Sequence, residues 1–335
     1  MPGTSARRGP LIALAMGDPG GIGPELIVKL LSDPTIFDSS QPFVVGDRQI
    51  LAGVADGIGV PLEFGAVERP GERRPSLAFI EVFEPDGLDT GAVRLGRVDP
   101  ANGQVAALCL RAAFDLATSG RAAGVVTAPM NKEAFHLAGY DYPDELCFLG
   151  DVTGSREAFL VGVMGPLWTI NVTDHVAFAD IPGLITKNRV RRRVEQLHSA
   201  LVRAKRADPR LGVAALNVHG GEGGLFGREE IDEIGPAIEM ARAQGILVEG
   251  PIPADAIFVR ALTGEFDGVV CMYHDQANIA RKLQPRDVSA TLYMGLPVAG
   301  GTTAHGTAFD RVGANLADPG SLRAALNAVV SLSSG

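Results

Sequence analysis

The chain has 335 residues, 46% of them hydrophobic, enough to bury a sizeable core in one large or two ordinary domains. Its 30 Lys and Arg against 39 Asp and Glu leave a formal charge of −9, which repels polyanions and sets aside nucleic-acid and acidic-membrane partners. Cys109, Cys147 and Cys271 form neither a disulfide framework nor a Cys-x-x-Cys pair, and no stretch approaches the roughly 18 apolar residues of a membrane span, so a cytoplasmic setting is expected.

The N-terminal segment Met1–Pro10 carries two arginines and leads into the apolar run Leu11–Met16, too short for a signal-peptide core. That run reads as a strand, followed by a helix over Pro24–Leu31 and a strand over Pro42–Gly46. Next come a strand over Ala78–Val82, a helix over Asn102–Thr118, a strand over Ala123–Thr127 and a helix over Asn131–Leu137. Strands over Ala158–Met164 and Leu167–Val172 precede a long Arg-rich helix over Thr186–Ala207. A strand over Gly212–Leu216, a helix over Ile231–Gln244, a strand over Gly268–Met272 and a helix near Ser321–Leu332 complete the chain. This alternation predicts an α/β fold whose parallel or mixed sheet is covered by helices. Gly65–Pro75 reads as a surface loop. Arg189, Arg191, Arg192 and Arg193, interleaved with Val190, Val194 and Leu197, read as the solvated face of an amphipathic helix rather than a basic patch.

Two glycine-rich loops stand out. Gly17–Glu25 lies between a strand and a helix, with Pro24 suited to a first helical position and Glu25 to the positive helix end. It lacks the Gly-x-Gly-x-x-Gly fingerprint of dinucleotide sites, so a ligand turn and a purely structural turn are both open. The second, Asn217–Gly227, holds five glycines around His219 and Glu222 at a strand end. Glycines cost backbone entropy on folding, and strand C-terminal ends are where open α/β sheets place ligands, so function is the better reason for them.

Of six histidines, His136 and His198 sit within helical stretches and are set aside. His175, His219 and His274 each directly follow a predicted strand. Three such histidines converge on one divalent ion if their strand ends share an edge, leaving a position open for substrate; three separate loop histidines is the alternative. Asp255 and Asp275 add carboxylates for orienting ligands or for acid–base work.

Six segments then resemble, in order and across nearly the whole chain, the 4-hydroxythreonine-4-phosphate dehydrogenase family of vitamin B6 (pyridoxine) biosynthesis. They are Gly17–Glu25, Thr127–Glu133, Asn217–Gly224, Gly250–Asp255, Tyr273–Gln276 with Lys282, and His305–Asp310 with Gly313. Gly21–Glu25 and His305–Gly313 are also similar to the isocitrate and isopropylmalate dehydrogenases. The resemblance implies one continuous two-lobed α/β/α subunit, with a terminal lobe of residues 1–130 and 285–335 and a middle lobe of 131–284, and an active site in the cleft between lobes. It implies a homodimer in which His274 reaches over to complete a metal site with His175 and His219. One divalent ion per site, Zn, Co, Mn or Mg, would lower the pKa of a substrate hydroxyl while NAD or NADP takes the hydride, with decarboxylation after. His305, Gly306, Thr307, Ala308, Asp310 and Gly313 would hold the dinucleotide, and Asp255, Asp275 and Lys132 are unranked candidates for taking the proton.

The chain departs from the family around the substrate. The family's Gly-His-Thr-Glu corresponds to Tyr142-Pro143-Asp144-Glu145, its Arg after Gly-Leu-Pro to Gly300, its Asn upstream to Thr291, and an Asp before His-Gly to Ala304. Lys282 alone survives among the substrate's cationic and amide contacts, with Arg281 and Arg286 as candidates to compensate. A phosphate normally needs Arg or paired cations. An unphosphorylated substrate, such as the cis-dihydrodiol of terephthalate in a dihydrodiol dehydrogenase, is therefore an alternative, with Lys282, Thr291 and Asp144 lining its pocket. A metal-dependent lyase or hydrolase without NAD, and a non-catalytic binding protein, are the readings of other classes.

Overall fold

The computed structural model describes residues 9–73 and 76–333. Arg7 and Arg8 of the N-terminal segment, and Arg74 and Pro75 of the expected Gly65–Pro75 loop, lie outside the described residues. In chain order the elements are β1 (Leu11–Ala15), α1 (Gly23–Leu31), α2 (Ile36–Ser39), β2 (Gln41–Val45), α3 (Arg48–Ile58), β3 (Phe64–Ala66), β4 (Ile80–Phe83), α4 (Pro100–Thr118), β5 (Gly124–Thr127), α5 (Lys132–Leu137) and α6 (Glu145–Thr153). There follow β6 (Phe159–Met164), β7 (Leu167–Asn171), α7 (Ile181–Leu184), α8 (Lys187–Arg203), β8 (Leu211–Ala214), α9 (Gly235–Arg242), β9 (Val248–Ile252), α10 (Ala254–Leu262), β10 (Gly268–Cys271), α11 (His274–Lys282), β11 (Ser289–Met294), β12 (Ala299–Thr303) and α12 (Gly320–Ser333).

Two compact units divide the chain: one of residues up to Phe159 and from Ala290 onward, the other Leu160–Ser289. Residues 131–159, expected in the middle lobe, thus lie in the terminal unit, because α5 and α6 both pack on α4. In the terminal unit the strand order is β3-β4-β2-β1-β5-β12-β11, parallel except where β11 runs antiparallel to β12. Its apolar strands are buried on both faces, as parallel sheets require: Ile12, Leu14, Phe43 and Val125 are sealed beneath Leu26, Leu30, Phe114 and Val329. In the middle unit the order is β6-β7-β10-β8-β9, parallel except for the β6–β7 pair. Met164, Leu167, Ile257, Phe266, Val269 and Cys271 form part of its core.

The βα reading holds, and the Arg-rich helix α8 buries Val190, Val194, Leu197 and Leu201 while Arg191 pairs with Glu195. The helix expected over Ile231–Gln244 begins instead with a π-turn, Glu230–Ile234, that runs into α9. β3 occupies the start of the expected Gly65–Pro75 loop. All three cysteines are free thiols. Among the described residues no helix is long and apolar enough to cross a membrane.

Close approach of α4 to α5 sets the position of the Asn131–Lys132 turn. A methyl group at Gly103 of α4 would meet the Ala134 carbonyl oxygen at 2.0 Å. Gly103→Ala is therefore expected to lose roughly 1–3 kcal/mol of stability through overpacking, although alanine has the higher helix propensity by ~1 kcal/mol; a lowered urea midpoint measures it.

Candidate active site

In the middle unit β10 lies between β7 and β8, all three parallel: Cys271 pairs with Asn171, and Gly268 with Leu211. Their C-terminal ends therefore share one edge, and each is followed within a few residues by a histidine: His175 after β7, His274 at the start of α11 after β10, and His219 after β8. Thr173 ties the first loop to the second by donating its hydroxyl to the Met272 carbonyl at 2.8 Å. Gln276 ties the second to the third, donating to Ala215 O and accepting from Met272 N, both at 2.8 Å.

The imidazoles of His175 and His274 lie 5.7 Å apart, centroid to centroid. Nδ1 of His274 is 2.7 Å from Asp275 Oδ1, and Nδ1 of His219 is 2.8 Å from Glu222 Oε1. Both rings thus have one nitrogen engaged and Nε2 left as the donor atom, the arrangement that suits imidazole to a divalent ion. His219 has no ring contact with the other two, and among the described residues no group of three His, Cys, Asp or Glu is gathered at metal-holding distance within the chain.

The turn that carries His219 hangs on a carboxylate that sequence reading passed over. Glu230, only 4% exposed, accepts from Leu216 N at 2.8 Å, Asn217 N at 2.7 Å and Asn217 Nδ2 at 2.9 Å. An acidic residue in the first turn of a predicted helix was the available signal, but nothing in the pattern separates Glu230 from Glu229. Asp255 opens α10 and is exposed. Lys282 ends α11; desolvation, with the positive charges of Arg281 and Arg286, lowers its pKa.

The loop expected to hold the dinucleotide lies in the terminal unit, after β12. Thr307 is buried and its carbonyl accepts from Ile22 N at 3.0 Å. A Cβ on Gly21 would meet Thr307 at 2.9 Å, so the two glycine-rich segments, 17–25 and 305–313, are docked on each other. Ala308 and Gly313 have φ of 42° and 77°, turning the chain around Asp310, while His305 Nδ1 lies 3.1 Å from Gly306 O. Asp18 is wholly buried beneath this contact: its Oδ1 accepts from Gly20 N at 2.8 Å, and burial pushes its pKa up to about 6. Glu25, expected at the positive helix end, sits in the first turn of α1 and accepts from Lys29 Nζ at 2.7 Å and Ala317 N at 2.9 Å.

Around the substituted positions the structure presents a carboxyl, hydroxyls and a bare glycine. Asp144 caps α6, its Oδ1 accepting from Cys147 N at 2.8 Å. Lys132 begins α5 behind its cap, Asn131. Thr291 pairs in register with Thr302. A Cβ at Gly300 would come within 3.0 Å of Phe114 Cζ and 3.1 Å of Tyr293 Cδ2, so a larger residue there requires those rings to give way. The Tyr293 hydroxyl lies 3.4 Å from Thr127 Oγ1, which donates to Glu145 Oε1 at 3.2 Å; Tyr293 is also hydrogen-bonded to Glu145. Burial holds the Glu145 carboxyl up at about 7.

Between its ordinary value of 4.5 and about 7, the folded chain keeps a proton on Glu145 that the unfolded chain releases. Its contribution, up to ~3 kcal/mol by linkage, is full below the unfolded value and is lost as pH rises through 7. Glu145→Gln is expected to flatten the fall in urea stability that the wild type shows between about pH 4.5 and 7, leaving the smaller component that Asp18 contributes between its ordinary 3.8 and about 6.

Comparison with known proteins identifies the family. Residues 38–329 match the family described as pyridoxal phosphate biosynthetic protein PdxA. A D-threonate 4-phosphate dehydrogenase from Cupriavidus necator is 39% identical over 318 residues, 95% of each chain. A crystal structure of 4-hydroxythreonine-4-phosphate dehydrogenase from Klebsiella pneumoniae is 35% identical with a TM-score of 0.86, covering 97% of this chain and 99% of that one. One of a terephthalate 1,2-cis-dihydrodiol dehydrogenase from Burkholderia xenovorans is 30% identical with a TM-score of 0.65, covering 97% and 98%. These relatives are dehydrogenases, which displaces the lyase, hydrolase and non-catalytic alternatives: the chain belongs to the PdxA family and is an oxidoreductase acting on a CH–OH group.

Proposed function

We propose that the chain oxidises the secondary hydroxyl of a small 4-phosphorylated hydroxy acid, D-threonate 4-phosphate or 4-hydroxythreonine 4-phosphate, with decarboxylation of the β-keto acid product. The observation that carries this reading is the set of three histidines on the adjacent ends of β7, β10 and β8. The names and near-complete coverage of its relatives support the substrate class. His175, His219 and His274 would hold one divalent ion, and the 305–313 loop NAD or NADP; when bound, these supply Lewis acidity at the hydroxyl oxygen and a hydride acceptor. Lys282, with Arg281 and Arg286 beside it, offers positive charge to the substrate's anionic end. Asp275 is occupied at His274, which leaves Asp255 and Lys132 to take the hydroxyl proton.

A second reading keeps the chemistry and drops the phosphate. It is favoured by position 300, a glycine crowded by Phe114 and Tyr293 that offers no cation, and by the relative named as a dihydrodiol dehydrogenase. Formation of reduced nicotinamide, followed with both 4-phosphorylated acids beside terephthalate cis-dihydrodiol, separates the two. Turnover of a phosphorylated acid at a kcat/KM well above that of the diol is expected, and the reverse order selects the second reading. His219→Ala is expected to lose about 10³-fold or more in kcat/KM, and Lys282→Ala to raise KM about 10- to 100-fold with a smaller change in kcat.

The functional form in this reading is a homodimer in which His274 serves the partner's site. Exposed apolar side chains beside the three histidines, Phe178, Val218, Leu225, Phe226, Ile279 and Leu283, support such an interface. The contact between His175 and His274 within one chain favours the opposite, a site served by one subunit alone. Mixing His219→Ala and His274→Ala subunits decides: the shared arrangement regenerates one intact site per mixed dimer and recovers activity, whereas a self-contained site recovers none.

A further inference from the structure

Six consecutive residues after β8, His219 to Gly224, occupy the left-handed region, with φ between 44° and 98°. Four are glycines, which adopt it freely; His219 and Glu222 are not, and an L side chain is disfavoured there. A run this tight, with about three residues per turn, brings residues three apart onto one side. The two side chains so aligned are His219 and Glu222, and they meet at 2.8 Å, Nδ1 to Oε1. Both are well exposed, at 62% and 48%, so an ion pair between them in water returns little for the strain of two left-handed residues.

We propose that Glu222 is a positioning residue: its carboxylate fixes the His219 ring in the tautomer with the proton on Nδ1 and presents Nε2 as the donor to a divalent ion. The inference rests on the metal reading of His219 given above. A carboxylate behind an imidazole orients the ring and raises the basicity of its free nitrogen. Right-handed or extended backbone at Glu222 would carry its carboxylate off this side of the turn, so the left-handed run is what allows the pairing. The same pairing occurs at His274, where Asp275 is the neighbour in sequence and no left-handed turn is needed.

The test is Co²⁺ affinity of the full chain, measured by competition with a chromophoric chelator, for wild type, Glu222→Ala, Glu222→Gln and His219→Ala. Glu222→Ala is expected to bind Co²⁺ about 10- to 100-fold more weakly, His219→Ala more weakly still, and Glu222→Gln, which keeps an oxygen acceptor and differs least in shape, by less than either. In the metal-free protein, nitrogen-15 spectra of labelled histidine should show the His219 proton on Nδ1 and its shift toward Nε2 in Glu222→Ala, a change that a merely structural role for the turn does not produce. Wild-type affinity and an unmoved tautomer in Glu222→Ala, with Co²⁺ binding lost in His219→Ala, overturn the role of Glu222 and leave the metal reading standing. Unchanged binding in His219→Ala overturns both.

Discussion

Strand direction is the constraint from which the rest of this molecule follows. Neighbouring parallel strands begin at one edge of a sheet and end at the other, so every loop that follows them is delivered to the same side. In the middle unit this brings the ends of β7, β10 and β8 side by side, and with them three histidines remote in sequence. In the terminal unit β1, β5 and β12 do the same for Gly17–Glu25, Thr127–Lys132 and the 305–313 loop. Neither cluster needs residues that are near one another along the chain. Each needs the hydrogen-bonded register to hold, which is why the short apolar strands rather than the polar loops carry the positional information.

That division of labour explains what could be read from sequence. The strands β1, β5, β7, β8 and β10 announce themselves as short apolar runs, and the three histidines were legible because each comes directly after one of them. Elements with mixed composition were not: α10, α11 and β9 lack a clean period, since α10 and α11 are short and partly exposed and β9 contains Gly250 and Pro251. The lobe boundary was misplaced by the length of α5 and α6, because packing on α4 through a glycine leaves no mark in hydropathy. Glu145, Tyr293 and Glu230 escaped notice for a related reason. Their roles depend on which long-range partners surround them, and a carboxylate bound for the interior has the same letter as one bound for solvent.

Buried carboxylates turn out to organise this acidic chain from within. Glu230 collects three donors under the His219 turn, Glu25 joins α1 to the backbone at Ala317, and Asp18 gathers the first glycine-rich loop. Each meets backbone N–H groups that would otherwise be stranded away from water. At Asp18 and Glu145 desolvation prevails and the proton is held toward neutrality. Formal net charge therefore says little about how charge is distributed around the loops that matter.

The crowding at Gly300 also ties positions 114, 293 and 300 to one another. Phe114 and Tyr293 already fill the space a side chain there would take. A larger residue at 300 requires Phe114 or Tyr293 to shift by a few tenths of an ångström, whereas a smaller residue at 293 would open a void and release Glu145 from one of its partners. The three positions are therefore coupled and are expected to tolerate joint changes better than single ones.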